Sequence, residues 1–528
     1  MFFLNSALMR SLSWPNSLQF LSIPSYPQLI FALLGGIFMG LTIAPVEAFP
    51  LAWIALIPLW VVTIRASRKM AIFAAIAWGF GYYGLALFWI TGIHPMTWLG
   101  VPWLGSIAIA LFCWLFITFW GTGLVVVWSI LLPKNKAHKT SFLSSLLRVL
   151  IGTSIWCVFE TIWSYTPLWW SPLAYTQSPH NLIILHLGQI SGTTAVTGAI
   201  VAVNGLLAEA LILKEKKWQL TGIAIALLMG LHGLGLSFYN RPLANQNPLR
   251  VGIIQGNIAN EIKLNPEGWY KAIEGYTSGY KELSDRGVDA VLTPETALPF
   301  VWQDRGQFTS SFYQAILEKG VLAWVGGFAQ EDNKITNSLF TVTGEGKTVS
   351  HYDKVKLVPL GEYIPFQQIL GKFINRLSPL EATLIPGKPT QVFETPFGQA
   401  IVGICYESAF SYHFQRQAAQ GGEFILTASN NAHYSEVMPA QHHALDVMRA
   451  IESDRWAVRA TNTGYSGIVD PHGKTLWRSG INTYELHDAT IYRRTTKTLY
   501  VRWGDWLTWC FFGLGAIALF LNKTKIFD

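Results

Sequence analysis

The chain reads as a multi-pass α-helical membrane domain joined to an α/β domain, and three observations lead there. Of its 528 residues, 51% are hydrophobic and only 13% charged, with 23 Trp, 31 Phe and 19 Tyr, the profile of a protein solvated in part by lipid. Apolar stretches long enough for the roughly 30 Å of bilayer hydrocarbon recur through the first 240 residues. From residue 246 to about 500 the pattern changes to short strands and amphipathic helices separated by Gly, Pro and Asn turns, as in an α/β domain hung between membrane segments.

Residues 1–26 hold no apolar core followed by an A-x-A site, so they are expected to form a short N-terminal extension rather than a cleaved signal. A transmembrane bundle is expected over 27–240, in about seven spans at 27–44, 47–64, 70–93, 104–132, 146–164, 181–212 and 218–238. One more span is expected near 506–522, within a C-terminal membrane segment at 504–523. The connecting loops alternate in charge: Arg65-Ala-Ser-Arg-Lys69, none in 95–103, Lys134-Asn-Lys-Ala-His-Lys139, none in 165–180, then Lys214-Glu-Lys-Lys217. That is the positive-inside pattern. It puts both termini in the cytoplasm, the C-terminal one beside Lys523-Thr-Lys525, and the 240–503 segment on the outer face. The net charge of +7 is thus topogenic, and no continuous basic face for nucleic acid remains. The loop Tyr165-Thr-Pro-Leu-Trp-Trp-Ser-Pro172 suits the outer interface, where Trp and Tyr prefer to lie.

In the α/β domain, expected over 246–500, the buried-strand candidates are Val251–Gln255, Ala290–Thr293, Ala323–Phe328, Ala400–Ile404 and Phe424–Ala428. The clearest helix spans 440–458, with Leu445, Met448, Ile451, Arg455 and Val458 at helical spacing. Residues 466–475 read as a hairpin turned at Asp470-Pro-His-Gly473. Cys113, Cys157 and Cys510 lie in apolar runs and read as small buried hydrophobes, with no spacing suited to zinc or a disulfide framework. The adjacent His442 and His443 point to different faces of a helix with no third ligand at i+4, so a solvated or supporting role is expected, and no metal. Gly326-Gly327 lacks the context of a nucleotide site.

Three strand ends finish in reactive side chains: Thr293-Pro-Glu295, His351-Tyr-Asp-Lys354 and Gly403-Ile-Cys405-Tyr-Glu407. Strand ends are where α/β domains place their sites. A thiol attacks only as thiolate and needs a base for its proton or a cation for its anion. Glu295 can take that proton, while Lys354 and the Tyr406 backbone N–H can stabilise an oxyanion. Singly, each residue has an inert reading; the joint occurrence is what points to chemistry.

The segments Pro294-Glu295-Thr296, Tyr352-Asp-Lys354, Leu357-Val-Pro-Leu-Gly-Glu-Tyr-Ile-Pro365, Gly403-Ile-Cys405-Tyr-Glu407 and Arg449 to Asn462 resemble, in order and spacing, the carbon-nitrogen hydrolase (nitrilase) superfamily. With Val251-Gly-Ile-Ile-Gln-Gly-Asn257 and the apolar spans on either side, the chain most resembles the apolipoprotein N-acyltransferase family within it. That resemblance implies a nitrilase-like α-β-β-α sandwich, with Glu295 as base, Lys354 as oxyanion stabiliser and Cys405 as nucleophile. It carries over Glu362 as an assisting acid and Tyr406 and Glu407 as neighbours of the nucleophile; His433 and Tyr434 are further assisting or substrate-binding candidates. It further implies a plasma (inner) membrane location, a phospholipid acyl donor, a diacylglyceryl-cysteine apolipoprotein acceptor, a ping-pong route through a Cys405 thioester, and no cofactor. Where the family carries Asp and Trp after the strand that follows the nucleophile, this chain has Asn431 and His433. Apolar residues of Val358–Leu360 and Tyr363–Phe366 are candidates for a lipid-facing wall. A membrane-tethered amidase and a non-catalytic lipid or lipoprotein binder are the rival readings.

Overall fold

The structure, a computed structural model, describes residues 26–134, 141–302, 310–332, 334–364, 384–432 and 434–524. The N-terminal extension, most of the 134–139 basic loop, His433, and Pro365 and Phe366 lie outside the described residues.

Four helices are long and apolar enough to cross a membrane: Trp103–Leu131, Phe142–Ser164, Thr193–Ile212 and Lys214–Tyr239. Shorter apolar helices flank them at Tyr26–Gly40, Phe49–Arg65, Leu182–Ser191 and Trp506–Asn522, together with Arg68–Ala86. Without a hydrophobic drive between helices in lipid, small residues set their approach. A Cβ on Gly36 would stand 2.0 Å from the Trp78 carbonyl oxygen, so the Tyr26–Gly40 and Arg68–Ala86 helices meet only because that side chain is missing. Inside the bundle Arg148 grips Glu209, Nη2 to Oε2 at 2.6 Å and Nε to Oε1 at 2.9 Å, and the Trp60 indole donates to the same carboxylate at 3.1 Å. Asp505, just before the last helix, accepts from Thr161, Ser191, Thr194 and Thr508 and so ties that helix to the rest.

The apolar run expected as one span over 181–212 is instead broken into Leu182–Leu185, Gly188–Ser191 and Thr193–Ile212. The second break is at Gly192, whose φ of +62° suits glycine and whose missing Cβ leaves room for the Tyr500 ring, 2.7 Å from where it would lie. The 47–64 run likewise divides into a 3₁₀ turn, Phe49–Trp53, and a helix, Ile57–Arg65. The 70–93 run gives a helix to Ala86 and then a 3₁₀ segment, Phe88–Ile93.

The α/β domain holds two six-stranded sheets. One contains β1 (Pro248–Gln255), β2 (Ala290–Leu292), β3 (Leu322–Glu331), β4 (Lys334–Val342), β5 (Thr348–Asp353) and β12 (Glu485–Tyr492), in the order β12-β1-β2-β3-β4-β5. The other contains β6 (Phe393–Thr395), β7 (Gly398–Ile404), β8 (Phe424–Ser429), β9 (Ala457–Thr461), β10 (Gly467–Val469) and β11 (Thr475–Arg478), in the order β11-β10-β9-β8-β7-β6. The central neighbours β1-β2-β3 and β7-β8-β9 run parallel, which puts their carboxyl ends on one edge. Alternation does the rest: Val251 and Ile253 face Val402, Leu426 and Val458 between the sheets, while Ile254 and Val291 meet Tyr276, Leu283 and Phe312 of the outer helices. This is the α-β-β-α sandwich. The helices outside the second sheet, Ser411–Gln420 and Val437–Ser453, share one continuous core with the membrane bundle, in which Phe414 and Met448 join Trp156 and Val196.

The helix expected over 440–458 stops at Ser453, because Asp454 is left-handed at φ +55° and Arg455 turns back to the carbonyls of Gly422 and Ser453. Residues 457–461 are β9 instead. The hairpin expected at 470–473 is present, closed by Gly473 N–H donating to the Asp470 oxygen at 2.8 Å.

Candidate active site

The shared sheet edge brings Glu295, Lys354 and Cys405 together. Glu295 follows β2 in a tight turn, with Thr296 at φ +45°. That turn lies against Gly326, where a Cβ would be 1.9 Å from the Pro294 oxygen, so the glycine pair in β3 serves close approach of the Glu295 loop. Lys354 is the first residue after β5; its N–H donates to the Asn337 oxygen at 2.8 Å. Its ammonium, 1% exposed, donates to Glu295 Oε1 at 3.0 Å and Glu362 Oε1 at 2.9 Å. Asn337 Nδ2 bridges the same two carboxylates at 2.8 and 3.0 Å.

Cys405 leaves β7 in a left-handed turn at φ +52°, a conformation costly for a residue with a Cβ and held only where surroundings fix it. Glu407 supplies much of that fixing. Its carboxylate accepts from Ile404 N–H at 2.8 Å and, across the sandwich, from Val355 and Lys356 N–H at 2.7 and 3.0 Å and from the Tyr352 hydroxyl. One acid therefore ties the nucleophile turn to the strand exit carrying Lys354. From the other side His442 Nε2–H donates to the Cys405 carbonyl at 2.8 Å, and its Nδ1 accepts from Asn431 at 3.2 Å. The thiol points towards the Asn430 carbonyl at 3.8 Å.

Burial pushes the Cys405 thiol up to about 12; the nearby Glu295 charge adds to this and Lys354 opposes it. Burial would also raise the Glu295 carboxyl, but Lys354 and Lys263 outweigh it and hold the group below its ordinary value. Burial alone would lower Lys354, yet Glu295 and Glu362 raise it well above the usual range. The resting site is thus a neutral thiol beside an ion pair. The carboxylate is ready to accept a proton, and among the described residues the Lys354 ammonium has a third N–H left for a developing anion.

Not every expected residue sits at this point. Tyr406 reaches away from the triad: its hydroxyl lies 2.8 Å from the Pro167 carbonyl oxygen and 2.7 Å from that of Trp169, and its ring stacks on Trp170. Glu407 is a brace, whereas Tyr434, its ring edge-on to Trp89 at 5.0 Å, lies near enough for the charges of Cys405, Lys354 and Glu295 to act on its hydroxyl. His442 and His443 are fully buried rather than solvated; His443 pairs with Thr475. The residues missed in the sequence are Lys263 and Asn337, meeting Glu295 across 32 and 42 positions respectively, while His442 takes the supporting place expected as one alternative. Among the described residues, Glu331, His351 and Asp353 have donor atoms within 4.8 Å of one another, but His351 already pairs with Asp353 at 3.4 Å and the group does not include the triad.

Residues 250–500 match the family model described as carbon-nitrogen hydrolase, and residues 35–206 the one described as the apolipoprotein N-acyltransferase N-terminal domain. A Nostoc sp. protein named apolipoprotein N-acyltransferase is 57% identical over 495 residues, covering 92% of this chain and 97% of its own. One of the same name from Synechocystis sp. is 51% identical over 510 residues, covering 91% and 98%. Among solved structures, an amidase from Nesterenkonia sp. is similar over 49% of this chain and 94% of its own, at 18% identity and a TM-score of 0.36. At such identity along nine-tenths of its length, the chain belongs to the apolipoprotein N-acyltransferase family and is a membrane-embedded acyltransferase of the carbon-nitrogen hydrolase superfamily.

Proposed function

We propose that the protein transfers an acyl chain from a membrane phospholipid to the N-terminal amine of a diacylglyceryl-cysteine apolipoprotein, by a ping-pong route through a thioester on Cys405. The observation that carries this reading is the strained Cys405 turn placed beside a buried Lys354–Glu295 pair, on a domain whose outer helices are continuous with a membrane bundle. Glu295 takes the thiol proton as Sγ attacks the ester carbonyl. Lys354 and the Tyr406 N–H receive the oxyanion. Collapse breaks the ester C–O bond, and Glu295 returns the proton to the departing lysophospholipid oxygen. The lipidated amine then attacks the thioester, Glu295 takes its proton, and the thiolate leaves and is reprotonated. An ester and then a thioester already hold the energy required, so the route calls on no cofactor.

The same reading places the enzyme in the plasma (inner) membrane, with about seven spans over 27–240, one more over 504–523, the 246–500 domain on the outer face and both termini in the cytoplasm. Its support is the alternation of loop charges and the position of the Tyr406–Trp170 contact in the uncharged 165–180 loop. An acyl chain gains about 0.8 kcal/mol per buried CH₂, so the thioester must form where the chain can stay in an apolar setting. A site resting on the bundle meets that demand, and a freely soluble amidase does not. The test loads the enzyme from labelled phospholipid, removes the donor, and follows the label with and without a diacylated lipopeptide bearing a free amino terminus. A long-lived, hydroxylamine-sensitive acyl-enzyme discharged to N-acyl peptide is expected. Prompt release of free fatty acid, indifferent to the peptide, defeats the reading in favour of hydrolysis.

A further inference from the structure

Beside the triad lies a cation to which the acyl-transfer steps give no task. Lys263 lies in the Asn260–Lys263 turn just past β1 and is 3% exposed. Its ammonium donates to the Glu295 backbone oxygen at 2.9 Å, which among the described residues is its one hydrogen-bond acceptor, although an ammonium carries three N–H groups. A lysine so placed is costly unless the surroundings need its charge.

The segment that carries it is fixed to the nucleophile side by asparagines. Asn462 accepts from Ile258 N–H at 3.0 Å and donates to the Ile258 oxygen at 2.7 Å and to Asn430 Oδ1 at 3.1 Å. Asn430 in turn donates to Asn260 at 3.2 Å, and its carbonyl faces the Cys405 sulfur. Lys263 is therefore held between the loop of the proposed base and the loop facing the thiol. Burial pushes its ammonium down to about 8, with Glu295 and Cys405 opposing that fall.

We propose that Lys263 is the positioning and charge-balancing cation of this site: it holds the Glu295 main chain and keeps the buried cluster electrically neutral through the acyl cycle. This rests on the triad roles proposed above. In the resting site the Lys354 ammonium pairs with the Glu295 and Glu362 carboxylates and the Lys263 ammonium lies on the Glu295 main chain, two positive and two negative charges beside a neutral thiol. On attack the thiol proton moves to Glu295, the new S–C bond forms and the carbonyl pair becomes an oxyanion. One negative charge disappears, one appears, and the sum stays zero. On collapse the C=O re-forms, the ester C–O bond breaks and Glu295 reprotonates the leaving oxygen, restoring the starting balance. Without Lys263 each of these states carries an uncompensated buried negative charge, which disfavours both thiolate and oxyanion.

The test measures iodoacetamide alkylation of Cys405 against pH in the full-length detergent-solubilised enzyme, read on the Cys405 peptide by mass spectrometry. It needs no lipid, so a wild type that fails to load acyl groups would defeat the acyl-transfer reading while leaving Lys263 testable. Lys263→Met should slow alkylation on the order of tenfold at fixed pH and move the profile about one unit upward, with thioester loading falling in parallel. Lys263→Gln, which keeps a donor for the Glu295 oxygen without the charge, should shift the profile similarly and serves if the Met variant does not fold. Lys263→Arg should stay within about threefold of wild type. A Gln or Met profile that overlays wild type overturns the proposal. So does an Arg variant as impaired as Met at an unchanged unfolding midpoint, since charge would then not be the property that matters.

Discussion

Burial alone would lift the Glu295 carboxyl, but two lysines hold it below its ordinary value, so the proposed base remains ionised well into the acid range. Acyl-enzyme formation in the wild type should therefore keep its base down to about pH 4.3, the ordinary Glu value, and lose it only as pH falls through the depressed one. The linked stability has the same sign: it is present above the unfolded carboxylate's value and lost on acidification through the folded one. Glu295→Gln should reduce acylation on the order of 10² or more and abolish that acid limb, and Cys405→Ala should abolish acylation altogether. Quenched-flow labelling from phospholipid across pH checks each; acyl transfer to an amine by Cys405→Ala would refute the covalent route. The three residues were legible in the sequence because each ends a strand within a distinctive local segment. Asn337 and Lys263 were not, since nothing around them locally separates a buried bridge from a solvated surface group. Their roles exist only once β4 and the β1 exit come to lie beside the Glu295 turn.

Among the elements, the strands β1, β2, β3, β7 and β8 followed directly from apolar runs bounded by turn residues, and the parallel edge they create explains why three distant segments converge. Periodicity failed where a backbone turn interrupts a continuous apolar pattern. The 440–458 helix overran because Arg455 and Val458 keep helical spacing after Asp454 has already turned left-handed. The 181–212 run hid its break for the same reason, because Gly192 looks like any other small residue in a membrane helix. Gly192→Ala should consequently cost about 1–3 kcal/mol through its φ of +62° alone, and more from the clash with Tyr500. Thermal unfolding in detergent measures the loss. Gly222→Ala, in open surroundings on the Lys217–Tyr239 helix, is the control expected to leave the midpoint unchanged or raised.

At the scale of the whole molecule, the α/β domain is docked through side chains as well as through a common core. Gln441 accepts from the Trp170 indole at 2.8 Å and donates to the Ala86 carbonyl at 2.9 Å, one residue before His442 takes hold of the Cys405 carbonyl. A fragment of residues 246–500 should thus expose the apolar faces of Ser411–Gln420 and Val437–Ser453 and aggregate without detergent. Tyr406→Phe in the full chain, which loses the hydroxyl's contact with the 167–169 loop, should lower acylation with little change in unfolding midpoint. Equal wild-type activity from the soluble fragment would show that the bundle is dispensable to the chemistry. The sequence revealed that two domains exist but not that they share a core, because an amphipathic helix facing a neighbouring domain is patterned like one facing its own. The buried Arg148–Glu209 pair has a bearing on how such a chain is made. Arg148 is the seventh residue of the Phe142–Ser164 helix and Glu209 lies in the last turn of Thr193–Ile212, and the acid emerges from the ribosome 61 residues after the arginine. The pair therefore closes only once Thr193–Ile212 has been made, so the packing of the Phe142–Ser164 helix into the bundle is completed after that helix's own synthesis rather than during it.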